Sequence, residues 1–220
     1  MKPVDLRLNA IVDPERAGRH DLADLARLVA EGGATLVQLR DKRRETRDII
    51  AEARAIKVAL APFKVPFVVN DRVDVALAAR ADGVHLGPDD MSAEDARALL
   101  GPNAIIGLSI KTVDEAATAP VEFIDYAGIG GVYATLSKEQ KIAPMGAEGF
   151  ARVANALRSR APTLPVAGIA GIDAGNAAAV IAAGADGVAV ISALSVVADP
   201  AGAAHELRQI VDAMLAKRGA

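Results

Sequence analysis

Apolar and polar positions follow a regular order along the chain, and this order predicts repeated units of a strand followed by a helix. Short apolar runs bounded by glycine, proline or acidic residues predict strands, and apolar residues every three or four positions predict helices. In the first helix, Leu22, Leu25, Leu28 and Val29 share one face, and Gly32 ends it. The predicted strands cover 7–13, 34–40, 66–70, 82–87, 104–110, 122–130, 164–169 and 186–191, and the predicted helices cover 21–33, 46–61, 72–81, 92–101, 112–119, 146–161, 173–185 and about 199 to the end.

Eight strand–helix units without a linker predict one domain over 1–220, a (β/α)8 TIM barrel of the α/β class. A doubly wound open sheet is the alternative. It usually has a glycine-rich phosphate turn after its first strand, whereas DPERAGRHD stands at that place here. The tripeptide Ala-Asp-Gly precedes the fourth and the eighth predicted strand, at Asp82 and Asp186, a short echo consistent with two similar half-barrels.

Composition narrows the class of protein further. The chain is 52% hydrophobic but only 3% aromatic, which suits helices packed on a parallel sheet of small aliphatic residues. A net charge of −3 gives no general attraction to nucleic acid or to an anionic membrane. The absence of cysteine excludes disulfides, thiolate nucleophiles and zinc–thiolate sites. No apolar run reaches the ~20 residues that span a bilayer. We therefore expect a cytoplasmic protein, and a homo-oligomer is compatible with the sequence.

Polar residues collect where the predicted strands end, which is where a (β/α)8 barrel carries its chemistry. These strand ends are rich in groups that bind phosphate and magnesium, and they contain no pair of a nucleophile and a base. The residues are Gln38, Arg40 and Lys42; Asn70 and Asp71; Asp89 and Asp90; Ser109; Thr135, Ser137 and Lys138; Gly168 and Gly171; and Ile191 and Ser192.

Three cations and two carboxylates would meet at one mouth of such a barrel. Arg40, Lys42 and Lys138 would repel one another there without an anion between them. Asp71, together with Asp89 or Asp90, could hold a hard cation, since Mg²⁺ is typically bound by one or two carboxylates plus substrate phosphates. Taken singly, each of these residues is more simply a solvated charge or a turn residue. Taken together, they suit a magnesium diphosphate.

Two further features leave their interpretation open. Gly168 and Gly171 after the seventh strand, with Ser192 after the eighth, suit a phosphate bound by backbone N–H groups, or they merely allow close turns. His85 in the fourth strand could point into the mouth, but a hydrogen-bonded core histidine is the simpler interpretation.

Seven short motifs occur in one order along nearly the whole chain: VQLRDK, VNDR, DGVHLGPDDM, IGLS, DYAGIGGVYATLSK, GIAGI and ISAL. In this combination the chain resembles the thiamine-phosphate synthase family. The resemblance implies a Mg²⁺-dependent transferase that joins hydroxymethylpyrimidine diphosphate to thiazole phosphate and releases diphosphate. It also implies that the partners are small-molecule substrates.

The resemblance implies a role for each matching residue. Arg40, Lys42, Ser109 and Lys138 would be catalytic, and Asp71 and Asp90, rather than Asp89, would bind Mg²⁺. The pyrimidine diphosphate would contact Gln38, Leu39, Arg40, Asp41, Lys42, Asn70, Ser109 and Lys138. The thiazole phosphate would contact Thr135, Leu136, Ser137, Gly171, Ile191 and Ser192.

The chain departs from the family pattern at several positions. Asn9 stands where a tyrosine is usual, which puts an aromatic substrate contact in doubt, and Ala170 replaces a glycine. Pro88, Gly131 and Ser137 also differ from the common residues. None of these changes removes a cation or a metal carboxylate. A thiazole tautomerase-like paralogue, which would not need the diphosphate residues, and a non-catalytic barrel that binds thiamine precursors are the alternatives.

Overall fold

A computed structural model of the protein describes residues 4–135 and 143–219. Its eight parallel strands pair in sequence order, and the eighth pairs back to the first, so the sheet closes into a barrel. The (β/α)8 fold predicted from the sequence is therefore confirmed. The strands are β1 (Leu8–Val12), β2 (Leu36–Leu39), β3 (Phe67–Asn70), β4 (Gly83–Leu86), β5 (Ile105–Ile110), β6 (Tyr126–Gly130), β7 (Val166–Ile169) and β8 (Gly187–Val190).

Helices alternate with the strands and cover the outside of the barrel. A 3₁₀ turn, Ala61–Phe63, extends the second of them. Within the described residues, no helix is both long and apolar enough to cross a membrane. The helices are α1 (Leu22–Glu31), α2 (Thr46–Leu60), α3 (Val73–Ala79), α4 (Ala93–Leu100), α5 (Val113–Thr118), α6 (Gly146–Arg160), α7 (Ala177–Ala182), α8 (Ser192–Ser195) and α9 (Pro200–Gly219).

Alternate residues of each strand face the helix layer and the barrel interior. Leu39 of β2 belongs to the large core that the strands share with the helices. Leu36 instead clusters with Val68 and Tyr126 from β3 and β6, which places it inside the barrel. Gln38, two residues further on, has the same orientation and is only 2% exposed. The strand thus leads from an apolar interior towards a polar mouth.

Four side chains at the beginning of the even-numbered strands hold the preceding odd-numbered strands in register. Each side chain accepts a hydrogen bond from the backbone N–H of one residue in that preceding strand. The backbone N–H of the residue that carries the side chain donates to the carbonyl of that same strand residue. The N–H of Leu8 donates to Thr35 Oγ1 (3.0 Å), that of Phe67 to Asp82 Oδ2 (2.8 Å), that of Ile106 to Asp125 Oδ2 (2.8 Å) and that of Val166 to Asp186 Oδ2 (2.9 Å). The repeated Ala-Asp-Gly tripeptide thus has a physical basis, because Asp82 and Asp186 perform the same task.

The structure differs from the predicted elements in three places. The helix predicted from 173 begins only at α7, because Asp173 and Asn176 form a turn in which the Asn176 side chain accepts the Asp173 N–H at 3.0 Å. The strand predicted from 122 begins at Tyr126, because a turn closed by Phe123 N–H and the Pro120 carbonyl precedes it. The helix α8 was not predicted, since four residues are too few to show a helical period.

We expect Asp125→Ala to lower the free energy of unfolding by about 3 kcal/mol, because it leaves the Ile106 N–H and the largely buried Arg97 guanidinium without their carboxylate. Urea unfolding measures the change. The exposed Glu122, which lies three residues earlier, provides the matched control Glu122→Ala, for which we expect less than about 0.5 kcal/mol. Equal effects of the two substitutions would contradict the structural role of Asp125.

Candidate functional site

Eight of the predicted site residues meet in a cavity of about 100 Å³ at the carboxyl ends of the strands. Apolar residues such as Ile11 and Ile169 complete its lining. A wider depression of about 1660 Å³ at the opposite end of the barrel contains none of the predicted residues. The predicted residues that line the cavity are Gln38, Arg40, Asn70, Ser109, Thr135, Gly171, Ile191 and Ser192.

Arg40 enters the cavity directly after β2 and is held there by an acid that directly follows β1. Its guanidinium pairs with the Asp13 carboxylate, which is 1% exposed, while Arg40 is 15% exposed. The other oxygen of Asp13 accepts the Glu15 N–H at 2.9 Å, so the carboxylate is fixed on both sides. Asp13 was not among the residues predicted from the sequence, although its position at the end of the first predicted strand was a signal that could have found it.

Lys42 and Asp71 form the outer part of the site. The Lys42 Nζ lies 2.8 Å from Asp71 Oδ2, with the lysine half-exposed and the aspartate 19% exposed. Asp71 has a left-handed backbone (φ +63°), and its N–H donates to the His85 carbonyl of the neighbouring strand at 2.8 Å. This bond fixes the turn that aims the carboxylate at Lys42.

Asp90, which the sequence predicts as the second metal carboxylate, lies beside Asp71. Its Oδ2 accepts the Gly87 N–H at 2.7 Å. Burial raises the pKa of Asp71, and the adjacent carboxyl of Asp90 raises it further, against the opposing effect of Lys42. When both carboxyls are ionised, their like charges repel each other. A bound cation would relieve this repulsion.

Leu39 and Asp41 do not point into the cavity. The Leu39 side chain is buried in the helix-facing core. The Asp41 carboxylate accepts the N–H groups of Arg43 (3.0 Å) and Arg44 (3.1 Å) and pairs with the Arg44 guanidinium. Burial opposes ionisation of Asp41, but these hydrogen bonds hold its pKa below the usual range. Asp41 thus shapes the loop after β2, and only the backbone of these two residues is left for the predicted substrate contact.

The loops after β6 and β7 are tied together on the far side of the cavity. The Tyr133 N–H donates to the Ala170 carbonyl at 3.0 Å. Ala170 and Gly171 both have positive φ, +86° and +65°. A Cβ on Gly171 would collide with the Ala134 carbonyl oxygen, so this position needs glycine. The turn thus forms although Ala170 stands where the family commonly has glycine. The predicted residues Leu136, Ser137 and Lys138 lie outside the described residues.

His85 adds a hydrogen-bonded pair of rings to the cavity wall. Its Nε2 lies 2.9 Å from Ser109 Oγ, and its Nδ1 lies 3.0 Å from the Tyr126 hydroxyl. The histidine is 5% exposed, so the expectation of a hydrogen-bonded core histidine is confirmed, and it also lines the cavity. Tyr126 was not singled out from the sequence, because the pairing joins residues 41 positions apart.

A closed (β/α)8 barrel whose mouth combines a largely buried arginine, a half-exposed lysine, paired carboxylates and a glycine turn defines the class of barrel enzymes that act on phosphorylated small molecules. Comparison with known proteins gives the family. The sequence model of a family described as thiamine monophosphate synthase matches residues 8–194. The chain belongs to the thiamine monophosphate synthase family.

Individual relatives agree with this assignment. The thiamine-phosphate synthase of Agrobacterium fabrum is 51% identical over 99% of each chain. That of Moorella thermoacetica is 44% identical over 93% of this chain and 95% of the relative. The structure of a thiamine phosphate pyrophosphorylase from Pyrococcus furiosus superposes with a TM-score of 0.84 at 37% identity, covering 96% of this chain and 98% of that one. The family predicted from the seven motifs is thus confirmed.

The raised pKa of Asp71 predicts a pH-dependent cost to stability. Between the ordinary and the raised pKa the folded state binds more protons than the unfolded state, so stability falls as pH rises through this window. Asp71→Asn removes this cost. In urea unfolding without metal, we expect its stability relative to wild type to be more favourable at pH 7 than near pH 4.

Asp74→Asn is the matched control, because the hydrogen bond from Arg72 lowers the pKa of Asp74. Its stability relative to wild type should be less favourable at pH 7 and recover as pH falls. The same pH trend in both variants would contradict the environment assigned to Asp71.

Proposed function

We propose that the chain joins a pyrimidine diphosphate to a thiazole phosphate by dissociative displacement. The bond between the exocyclic methylene carbon and the diphosphate oxygen breaks, and the thiazole nitrogen forms the new bond to that carbon. The products are thiamine phosphate and diphosphate. The convergence of Gln38, Arg40 and Ser109 in one cavity, beside the Lys42–Asp71 pair, is the observation that carries the proposal.

Arg40 and Lys42 are the groups proposed to hold the diphosphate, with Lys138 added from the family resemblance. Arg40 is oriented by Asp13, so its free N–H groups are presented to the cavity without reorganisation. Gln38 and Asn70 supply amides deeper in the same cavity, where the pyrimidine ring would lie next to Ser109. The positive charges stabilise the negative charge that grows on the leaving diphosphate, which is stronger binding of the transition state than of the substrate.

Asp71 and Asp90 are the proposed ligands of Mg²⁺. The adjacent carboxylates and the raised pKa of Asp71 fit a hard divalent cation. No group of three or more acidic or histidine side chains that could hold a metal occurs among the described residues, which is consistent with a metal that also takes ligands from substrate phosphate and water. When bound, the cation supplies charge neutralisation to the diphosphate. Lys42, which is paired with Asp71, adds a second positive charge that neutralises the diphosphate.

The thiazole phosphate is proposed to bind on the opposite wall. Gly171, Ile191 and Ser192 lie together there, and Thr135 reaches the same cavity from the loop after β6. Ala170 and Gly171 form a turn with positive φ, and the backbone N–H groups of such turns can bind phosphate oxygens. The two anion sites on opposite walls would hold the reacting carbon and nitrogen between them, so that positioning supplies much of the rate.

The proposed chemistry needs no nucleophilic side chain. The amino group of the pyrimidine donates electrons to the exocyclic methylene as the diphosphate leaves, and the thiazole nitrogen already has a lone pair. What the protein must do is keep water away from the cationic pyrimidine. The apolar side chains of Ile11, Ile169 and Ile172 in the cavity wall serve this purpose. We also propose that the reaction takes place in the cytoplasm.

Release of diphosphate tests the proposal. Purified protein, both substrates and Mg²⁺ should yield thiamine phosphate and diphosphate in equal amounts, measured by chromatography and a coupled phosphate assay. Excess chelator should abolish release. Folded protein that binds both substrates without release would instead be a non-catalytic binding barrel, and full activity in chelator would contradict the metal role.

We expect Asp71→Ala to lower turnover by at least about tenfold without unfolding the protein, because it removes a metal carboxylate and the partner of Lys42. Lys138→Ala should have a similar effect through the leaving group. The exposed Asp89, which is adjacent to Asp90, provides the control Asp89→Ala, whose turnover should stay within about twofold of wild type. Wild-type rates in both Asp71→Ala and Lys138→Ala would refute the site.

A further inference from the structure

The hydrogen-bonded series Tyr126–His85–Ser109 has a direction that the two distances alone do not give. A neutral imidazole has one N–H donor and one acceptor nitrogen. Either the Tyr126 hydroxyl donates to Nδ1 and Nε2–H donates to Ser109, or both bonds run the other way. The first arrangement leaves the Ser109 proton free to be donated into the cavity. The second leaves only the oxygen lone pairs of Ser109 facing the cavity.

The burial of Tyr126 selects the first arrangement. The side chain is fully buried, and burial raises the pKa of its phenol, so the hydroxyl keeps its proton. Among the described residues, its hydroxyl hydrogen-bonds only to His85. If Nδ1 carried the proton, the phenol O–H would be a buried donor without an acceptor, which is unfavourable. The phenol therefore donates to Nδ1, and the imidazole proton sits on Nε2.

Two glycines make room for this arrangement in the barrel interior. A Cβ on Gly107 would overlap the Tyr126 ring, and a Cβ on Gly128 would lie 3.1 Å from His85 Cε1. Gly107 pairs with Tyr126 and with His85 across the two neighbouring strand pairs. The backbone is thus shaped to hold the two rings 5.4 Å apart, which indicates a fixed contact between them.

We propose that Tyr126 and His85 are positioning residues that fix Ser109 as a hydrogen-bond donor towards an acceptor atom of the pyrimidine substrate, an inference that rests on the proposed function. A ring nitrogen with a free lone pair is the kind of atom that Ser109 then selects. The Tyr126 hydroxyl donates to His85 Nδ1, the Nε2–H of His85 donates to Ser109, and the Ser109 hydroxyl donates to the substrate. No proton is transferred in this series.

The first test reads the tautomer directly and does not depend on activity. Long-range ¹H–¹⁵N correlation spectra of ¹⁵N-histidine-labelled protein distinguish a protonated Nε2 from a protonated Nδ1, and loss of one signal set in His85→Gln assigns His85. We expect His85 to carry its proton on Nε2 in the wild type. In Tyr126→Phe, which keeps the ring, this preference should be lost. A wild-type His85 protonated on Nδ1 would overturn the proposal even if the synthase reaction is confirmed.

The second test asks whether Tyr126 acts through Ser109. We expect Tyr126→Phe to lower kcat/KM for the pyrimidine diphosphate about fivefold, with KM for the thiazole phosphate unchanged. In a Ser109→Ala background, Tyr126→Phe should change kcat/KM for the pyrimidine diphosphate less than about twofold, because the hydroxyl through which Tyr126 acts is already absent. An equal loss in both backgrounds would overturn the proposal. Absence of any diphosphate release would refute the proposed function instead, and the tautomer would still decide the arrangement.

Discussion

The register of the eight strands is the constraint on which the rest of the structure depends. In a barrel, a shift of one residue turns every inward side chain outward. Thr35, Asp82, Asp125 and Asp186 prevent such a shift by bonding to the neighbouring strand with both side chain and backbone. Because these contacts lie at the amino-terminal end, the opposite end is left to carry polar groups. Stability and chemistry thus occupy the two ends of the same barrel.

At the mouth of the barrel, some charged side chains are fully paired with an opposite charge and others are only partly paired. Arg40 is neutralised by a buried carboxylate, which holds it in place for an anion. Lys42 only partly compensates Asp71 and Asp90: burial raises the pKa of Asp71, and the adjacent carboxyl of Asp90 raises it further. Such unfavourable electrostatics persist at functional sites because the ligand relieves them. The arrangement explains why cations and acids lie side by side, as the proposed binding of a metal and a diphosphate requires.

Most of the fold could be predicted from the sequence, because strand position depends on local apolar runs and turn residues. The alternation that put Leu36 and Gln38 on one face needed only the period of a strand. Features that depend on contacts between distant strands could not be predicted in this way. The carboxylate of Asp13 on Arg40 and the hydroxyl of Tyr126 on His85 are examples.

The candidate site shows the same division. The residues that end the strands could be listed from the sequence, and eight of those expected to bind substrate line one cavity. The outward direction of Asp41 was not predicted, because the hydrogen bonds from Arg43 and Arg44 form only once the loop after β2 has folded. Local pattern thus identifies which residues reach the mouth, and tertiary contacts decide which way their side chains turn.

We propose that the mouth of the barrel is built around a metal-bound diphosphate. The decisive experiment is a crystal structure of the protein with diphosphate and Mn²⁺, which is located by its anomalous scattering. We expect the metal on the carboxylates of Asp71 and Asp90, with the diphosphate in contact with Arg40 and Lys42. Diphosphate bound elsewhere, or metal away from both carboxylates, would contradict it.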